Sequence, residues 1–250
     1  MNDRRLVAII PARYGSNRFP GKPLALIAGQ PMVQRVYARA SQVKQLTGVW
    51  VATDDRRIAD CVQGFGGQVL MTRPDHPSGT DRLAEAAARL GLAPPDVVIN
   101  IQGDQPAFPV PVIDQLIQSL LTEPEVAMAT LASRLTNPQA AQNPNVVKVV
   151  FDQRHQALYF SRAPIPFWRD AAESRYFYKH IGIYGYSYDF LRQYVRLPPG
   201  IWEQAEKLEQ LRALEHGFAI RVVETQYETL EVDVPEDIAR VESYLMADSL

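Results

Sequence analysis

Four short apolar runs alternate with helix-patterned segments in the first hundred residues, and this alternation restricts the fold more than any other feature. The runs are residues 6–10 (LVAII), 49–53 (VWVAT), 68–72 (QVLMT) and 96–103 (DVVINIQG). Strands covered on both faces read as unbroken apolar stretches, because neither face meets water. Between them, residues 32–43 place Met32, Val33, Val36, Tyr37, Ala40 and Val43 at helical spacing. Residues 56–65 read as a helix stopped by Gly66 and Gly67, and residues 80–92 as a helix capped by Thr80 or Asp81. Strand–helix alternation requires parallel crossovers, so about the first 125 residues read as a doubly wound α/β sheet.

The second half changes character. Residues 125–135, 145–152, 157–167 and 178–190 are strand-like with few helices between them, which predicts antiparallel strands and a hairpin. Helices are expected over 203–217 and 235–248, with a strand at 219–224 between them. The economical organisation is one domain. Its nucleotide-binding half takes about residues 1–125 and 219–250, and an antiparallel elaboration takes about 126–218.

Composition excludes several classes. Twenty-six basic residues stand against 28 acidic ones, a net charge of −2, so nothing in the bulk points to nucleic acid or a membrane surface. Any anion site must be local. Cys61 is the single cysteine, which rules out an intrachain disulfide and fits a reducing compartment. The first apolar run is too short for a signal peptide, and no run approaches a membrane span; the expectation is a cytoplasmic protein.

The local charge is found at once. Residues 11–24 (PARYGSNRFPGKPL) leave the first strand carrying Arg13, Arg18 and Lys22 on a loop broken by glycine and proline. A loop at the C-terminal end of a parallel strand lies where open α/β sheets bind ligands. A phosphate-binding P-loop is excluded, since Gly15 and Gly21 are one residue too far apart and Pro23 replaces the metal-binding hydroxyl. Taken alone, the loop is equally compatible with a solvated surface. Gly103-Asp104 ends the fourth run on the same rim, as a magnesium-holding carboxylate or a turn cap. Asp233 precedes a helix begun by Pro235, with the same two readings. Ser78, Gly79 and Thr80 form a polar nest at a helix start, fit for a base or ribose, or simply an imperfect capping box. Arg162, His180 and Tyr184 sit among strand residues. Glu209 and Gln210 lie on the polar side of a helix whose apolar face is Leu208, Leu211 and Leu214. His76, His155 and His216 lack metal-ligand spacing.

In order along the chain, these stretches resemble the 3-deoxy-manno-octulosonate cytidylyltransferases, also called CMP-Kdo synthetases. The resemblance spans IPARYGSNRFPGKPL, VATDD, SGTDRLAEA, IQGDQP, NPNVVKVVFD, ALYFSRAPIPF, KHIGIYGY, EKLEQLRALEHG and VDVPEDI. It implies a Rossmann-like nucleotidyltransferase fold with an antiparallel elaboration used for dimerisation. It also implies a Mg²⁺-dependent reaction of CTP with an eight-carbon acidic sugar, giving CMP-sugar and pyrophosphate for bacterial lipopolysaccharide. On this resemblance Arg13 and Lys22 bind triphosphate, with Pro11, Ala12 and Arg18 beside them. Arg73, Ser78, Gly79, Thr80, Arg82 and Gln102 line the nucleotide. Asp104 and Asp233 hold the metal. Gln102, Arg162, His180, Tyr184, Glu209 and Gln210 hold the sugar, with Arg162 near its carboxylate. Arg13, Lys22, Asp104 and Asp233 are the implied catalytic set.

Two positions depart from the commonest family pattern: Gln105 replaces an acid in QGDQP, and Val234 replaces a threonine in VDVPED. The first keeps open the 8-amino analogue of the sugar as substrate. Rival readings are a sialic-acid cytidylyltransferase and a non-catalytic nucleotide-binding protein on the same fold. The joint presence of Arg13, Lys22, Asp104 and Asp233 argues against the second.

Overall fold

The computed structural model describes residues 4–248 except 16–18, 124, 136, 138 and 171–175, and it divides into two compact units. Unit 1 is Met1–Asp114 with Glu228–Leu250; unit 2 is Gln115–Tyr227.

Unit 1 begins with β1 (Leu6–Pro11), buried over its first five residues. A two-rung hairpin follows, β2 (Leu26–Ile27) with β3 (Gln30–Pro31), then α1 (Met32–Ala40). The alternation continues through β4 (Gly48–Thr53), α2 (Arg56–Gly64), β5 (Val69–Met71), α3 (Gly79–Arg89) and β6 (Val97–Asn100). Helix α4 (Val110–Thr122) comes next. The strands lie in the order β6–β1–β4–β5, every pair parallel. This is the sheet that the apolar runs demanded. Met32, Val33, Val36 and Ala40 of α1, and Ile58, Ala59 and Val62 of α2, are buried at helical spacing. Because the strands run one way, the loops after Pro11, Thr53, Met71 and Asn100 all leave on one rim.

Unit 2 holds β7 (Met128–Leu135), β8 (Lys148–Phe151), β9 (Ala157–Ser161) and β10 (Phe177–Ser187). Three short helices follow, α5 (Tyr188–Tyr194), α6 (Ile201–Glu206) and α7 (Leu211–Glu215), and then β11 (Arg221–Thr225). Strand β10 pairs antiparallel with β7 and β8, β8 pairs antiparallel with β9, and β11 runs parallel to β7. The expected antiparallel character is therefore present, with one parallel strand added. The β7–β10 register shifts between Ile181 and Tyr184. There Thr130 Oγ1 bonds to the Ile181 and Ile183 carbonyls at 3.1 and 2.9 Å, satisfying groups that the bulge frees. The chain ends in unit 1 with α8 (Asp237–Asp248). Val232 and Val241 join a buried cluster there with Ile27, Met32 and Ala107.

Three sequence expectations need correction. The helix expected over 203–217 is two helices, because Lys207 adopts a left-handed backbone at φ 54° and turns the chain. The pieces are tied by a buried two-bond ion pair, Arg212 to Glu203 at 2.7 and 2.6 Å, and by Glu215 accepting the Trp202 and Glu203 amides. Residues 188–190, expected to extend a strand, begin α5 instead, where the Ser187 hydroxyl accepts the Phe190 amide. The cap of α3 is neither Thr80 nor Asp81 but Ser78, whose oxygen accepts both of their amides at 3.1 and 3.2 Å. Asp81 accepts the Ser78 hydroxyl in turn at 2.8 Å, so the carboxylate sits three residues beyond the cap.

Candidate active site

The rim of unit 1 gathers three loops by close backbone approach. A β-carbon at Gly103 would lie 3.0 Å from the Pro11 carbonyl oxygen, tighter than most side chains show, so glycine lets the 102–105 turn reach the end of β1 without a backbone shift. Gly79, at the start of α3, would place its own β-carbon 3.6 Å from the Pro11 ring. The loop leaving β1 closes on itself: the Gly21 amide donates to Tyr14 O at 2.9 Å, and Gly21 holds a left-handed φ of 72° against the Tyr14 ring. That turn delivers Lys22 into the rim.

Lys22 is the hub. Its ammonium lies 2.7 Å from Asp104 Oδ2 and 3.9 Å from Asp233 Oδ1, and donates to the Val232 carbonyl at 3.0 Å. The Val232 amide donates to the Asp104 carbonyl at 2.9 Å, so the two acidic loops are stitched through their backbones as well. Asp237 reaches back over the start of the last helix: its Oδ2 accepts the amides of Asp233 and Val234 at 2.8 and 3.1 Å, which fixes the backbone that carries Asp233. The Asp233 carboxylate lies on the rim, 3.9 Å from the Lys22 ammonium. The sequence thus named three groups, Lys22, Asp104 and Asp233, that the fold brings together from positions 82 and more than 200 residues apart.

The remaining nucleotide-side residues divide. Pro11 and Ala12 form the strand end, with Ala12 buried and its amide bound to Ala52 O at 2.9 Å. Arg13 is exposed and makes no ion pair among the described residues; Arg18 lies outside them. Ser78, Gly79 and Thr80 stand at the first turn of α3, and Gln102 is half-buried on the Gly103 turn. Arg82 is buried on the inner face of α3, bonded to Thr72 and 3.1 Å from Asp54. It therefore holds the loops after β4 and β5 in place from beneath. Arg73 is exposed, and its amide is held by Glu85 at 3.0 Å. Burial opposes ionisation of Glu85, but the Arg73 amide, His76 and Arg89 together hold its carboxyl below the usual range.

Unit 2 carries the sugar-side residues. Arg162 spends its guanidinium on backbone carbonyls, Glu206 O at 2.7 Å and Pro144 O at 3.0 Å, and has no carboxylate at ion-pair distance among the described residues. Beneath it Lys148, fully buried, donates to Arg162 O at 2.6 Å and to Asn143 O at 3.1 Å. Burial lowers the Lys148 amine, with Glu206 opposing that shift. His180 is buried, bonded to Thr130 at 3.0 Å and packed edge-on to Phe160, with Tyr184 beyond it. Desolvation, and then the charge on Lys179, takes His180 from 6.5 to about 3, so it is neutral. Glu209 and Gln210 occupy the break between α6 and α7, not a continuous helix surface. The Glu209 carbonyl accepts the Tyr194 hydroxyl at 2.6 Å, and the Gln210 side-chain nitrogen is buried without a partner among the described residues.

Residues 7–226 match the Cytidylyltransferase family model. The chain belongs to this cytidylyltransferase family. It is 54% identical over 247 residues to a 3-deoxy-manno-octulosonate cytidylyltransferase of Syntrophobacter fumaroxidans, covering 98% of this chain and 99% of that one. It is 53% identical over 241 residues to an 8-amino-3,8-dideoxy-manno-octulosonate cytidylyltransferase of Shewanella sediminis, covering 96% and 98%. A solved CMP:2-keto-3-deoxy-manno-octonic acid synthetase in complex with CTP superposes with a TM-score of 0.92 at 46% identity, over 98% of this chain and all of that one.

Within this cytidylyltransferase, several supporting residues escaped the sequence reading. Asp237 had a signal, since an acid two residues after a helix-starting proline is well placed to reach back to free amides. Glu231, which accepts a hydrogen bond from Gln105 at 3.1 Å, and the Asp54–Arg82 pair had none. Their partners are distant in sequence, and only the closed fold pairs them.

Proposed function

We propose that this cytidylyltransferase is a Mg²⁺-dependent enzyme that joins CTP to 3-deoxy-manno-octulosonate, giving CMP-Kdo and pyrophosphate for bacterial lipopolysaccharide. The observation that carries the reading is the convergence of Lys22, Asp104 and Asp233 at the C-terminal rim of a parallel sheet. The names of the chain's relatives supply the sugar class.

Both reactants are anions, so repulsion must be cancelled before the anomeric hydroxyl approaches the α-phosphorus. Asp104 and Asp233 fit Mg²⁺: they already converge on one cation, and their side chains stay 30% and 36% exposed. No group of three or more candidate ligands occurs among the described residues, so substrate oxygens and water must complete the shell, as Mg²⁺ prefers. The ion, when bound, supplies charge neutralisation along the triphosphate and acidifies the attacking hydroxyl, so no side-chain base is required. Arg13 and Lys22 add fixed positive charge where the pyrophosphate charge develops. Ser78, Gly79 and Thr80 offer a polar turn to the nucleoside. Arg162, whose charge meets only neutral carbonyls, retains an attraction for the sugar carboxylate. His180 enters as a neutral ring and adds shape without charge.

A second reading keeps the reaction and changes the sugar to the 8-amino analogue. It is favoured by the Shewanella relatives of that name at 52–53% identity. The cytoplasm is the proposed compartment. The exposed apolar side chains of Leu158, Phe167, Ile201 and Trp202 in unit 2 support a homodimer.

Pyrophosphate release from CTP and Mg²⁺ is the test, run in parallel with Kdo, its 8-amino analogue and sialic acid. Release with Kdo above the other two is the expected result; release with none of them defeats the enzymatic reading. In the Asp104→Asn variant, release should fall to background with the melting temperature retained, and near-normal turnover would remove Asp104 from the site.

A further inference from the structure

The contact between Gln105 and Glu231 has no place in substrate or metal binding as described above. Gln105 directly follows Asp104 and is 1% exposed. Its Nε2 donates to Glu231 Oε1 at 3.1 Å, while its own Oε1 is buried without a partner among the described residues. The orientation of the amide is settled by Glu231, because a flipped amide would set two acceptor oxygens against each other. A buried amide with one end unsatisfied is costly compared with an apolar residue of the same size. What the position retains for that cost is a neutral donor.

Glu231 lies two residues before Asp233. Between them Val232 donates to the Asp104 carbonyl and accepts from Lys22. The contact at Gln105 is thus the outer rung of a short ladder that joins the two acidic loops. We infer that Gln105 is a positioning residue: its amide anchors the 231–233 segment on the 103–105 turn, and so sets the spacing of Asp104 and Asp233 without adding charge. An acid at 105 would face the Glu231 carboxylate at hydrogen-bond distance and push the loops apart. An acid at 105 with an amide at 231 would restore the same bond with its polarity reversed. The inference rests on Asp104 and Asp233 being the metal-holding pair.

The experiment is calorimetric binding of Mg·CTP without sugar, alongside thermal melting. The proteins compared are the parent, Gln105→Met, Gln105→Glu, the double swap Gln105→Glu/Glu231→Gln, and Asp104→Asn, each measured well below its own melting temperature. Loss of a group that orients a metal ligand weakens affinity by about 10- to 100-fold, and this is expected for Gln105→Met and Gln105→Glu. The swap should recover to within about threefold of the parent. Parent-like binding by folded Gln105→Met overturns the inference and leaves Gln105 a packing residue only. A swap no better than Gln105→Glu overturns it too. Full Mg·CTP affinity in Asp104→Asn would instead bring down the metal-site reading, whatever the Gln105 variants do.

Discussion

On the proposed function, Lys22 occupies the place where the divalent cation would be needed, which makes Lys22→Met an informative perturbation. The substitution keeps the apolar stem and removes the charge that lies 2.7 Å from Asp104 and 3.9 Å from Asp233. At the dielectric constant of water, those contacts are worth about 1.5 and about 1.1 kcal/mol. Exposure of both carboxylates by about a third keeps the environment close to that limit, and salt reduces it further. A net competition of about 1.4 kcal/mol between the ammonium and an incoming metal corresponds to about a tenfold change in affinity. Removing the ammonium should therefore tighten binding of the metal alone by about tenfold, measured with Mn²⁺ by electron paramagnetic resonance and without nucleotide. The same variant should lose CTP affinity and about 10²- to 10³-fold in kcat, since a charge-assisted contact to the triphosphate is gone. The two effects have opposite signs and share one cause. Metal binding in Lys22→Met that equals or falls below the parent would refute the competition, and with it the placing of the cation between Asp104 and Asp233.

Three further outcomes follow from the packing. His180 is neutral when folded, with a value near 3, while the unfolded chain takes up its proton near 6.5. The unfolded state then binds more protons below pH 6.5, so stability is flat above that pH and falls beneath it, by about 2 kcal/mol at pH 5. The urea midpoint of the parent should drop more between pH 7 and pH 5 than that of His180→Gln, and parallel drops would show that the ring is not held neutral. Arg212→Met leaves Glu203 charged and buried at a cost of about 3–5 kcal/mol; a Glu203→Met change added to it should recover most of this in denaturant titration. Val241→Ala removes two methyl groups from the cluster beneath Val232, at about 2 kcal/mol. It should raise hydrogen exchange at residues 232–238 above that of β1, and uniform exchange would deny α8 a local role in holding Asp233.

What the sequence made legible was periodicity and loop position. The parallel sheet of unit 1 follows from runs such as 6–10 and 96–103, because burial on both faces leaves an unambiguous mark. Lys22, Asp104 and Asp233 could be named because each stands in a punctuated stretch at an element end, where glycine or proline sets the chain. Their meeting could not be read, since no local pattern encodes a contact between residues 22 and 233. Helix α4 was missed because Pro109 and Pro111 stand at its start and residues 110–122 are apolar on most sides, so they show no clean stripe. The break at Lys207 was missed because EQAEKLEQLRALEHG keeps helical spacing through it. There the buried Glu203–Arg212 pair and the left-handed residue override a favourable local propensity. Arg82 illustrates the converse. The resemblance places it around the nucleotide, and its position on the inner face of α3, at helical register with Leu83 and Ala86, buries it.

On the proposed function, the charge balance of the rim also bears on how a protein of net charge −2 would handle two anionic substrates. Long-range steering offers nothing here, because the field of the whole chain is weakly repulsive to CTP. Locally, one ammonium against two carboxylates leaves the Lys22 cluster with a single negative charge. A triphosphate arriving alone would meet that charge, and among the described residues of the loop after β1 the exposed Arg13 would answer it. On the proposed function, Mg²⁺ held by Asp104 and Asp233 would reverse the sign of the cluster, and the Lys22 ammonium would then be available to phosphate. Metal and nucleotide must then bind with positive coupling, and the coupling is reciprocal: whatever factor the metal adds to CTP affinity, CTP adds to metal affinity. On that reading the acidic pair does more than hold the ion: it would keep Lys22 neutralised until both partners are present, and so tie the positive charge of the site to the complex that needs it.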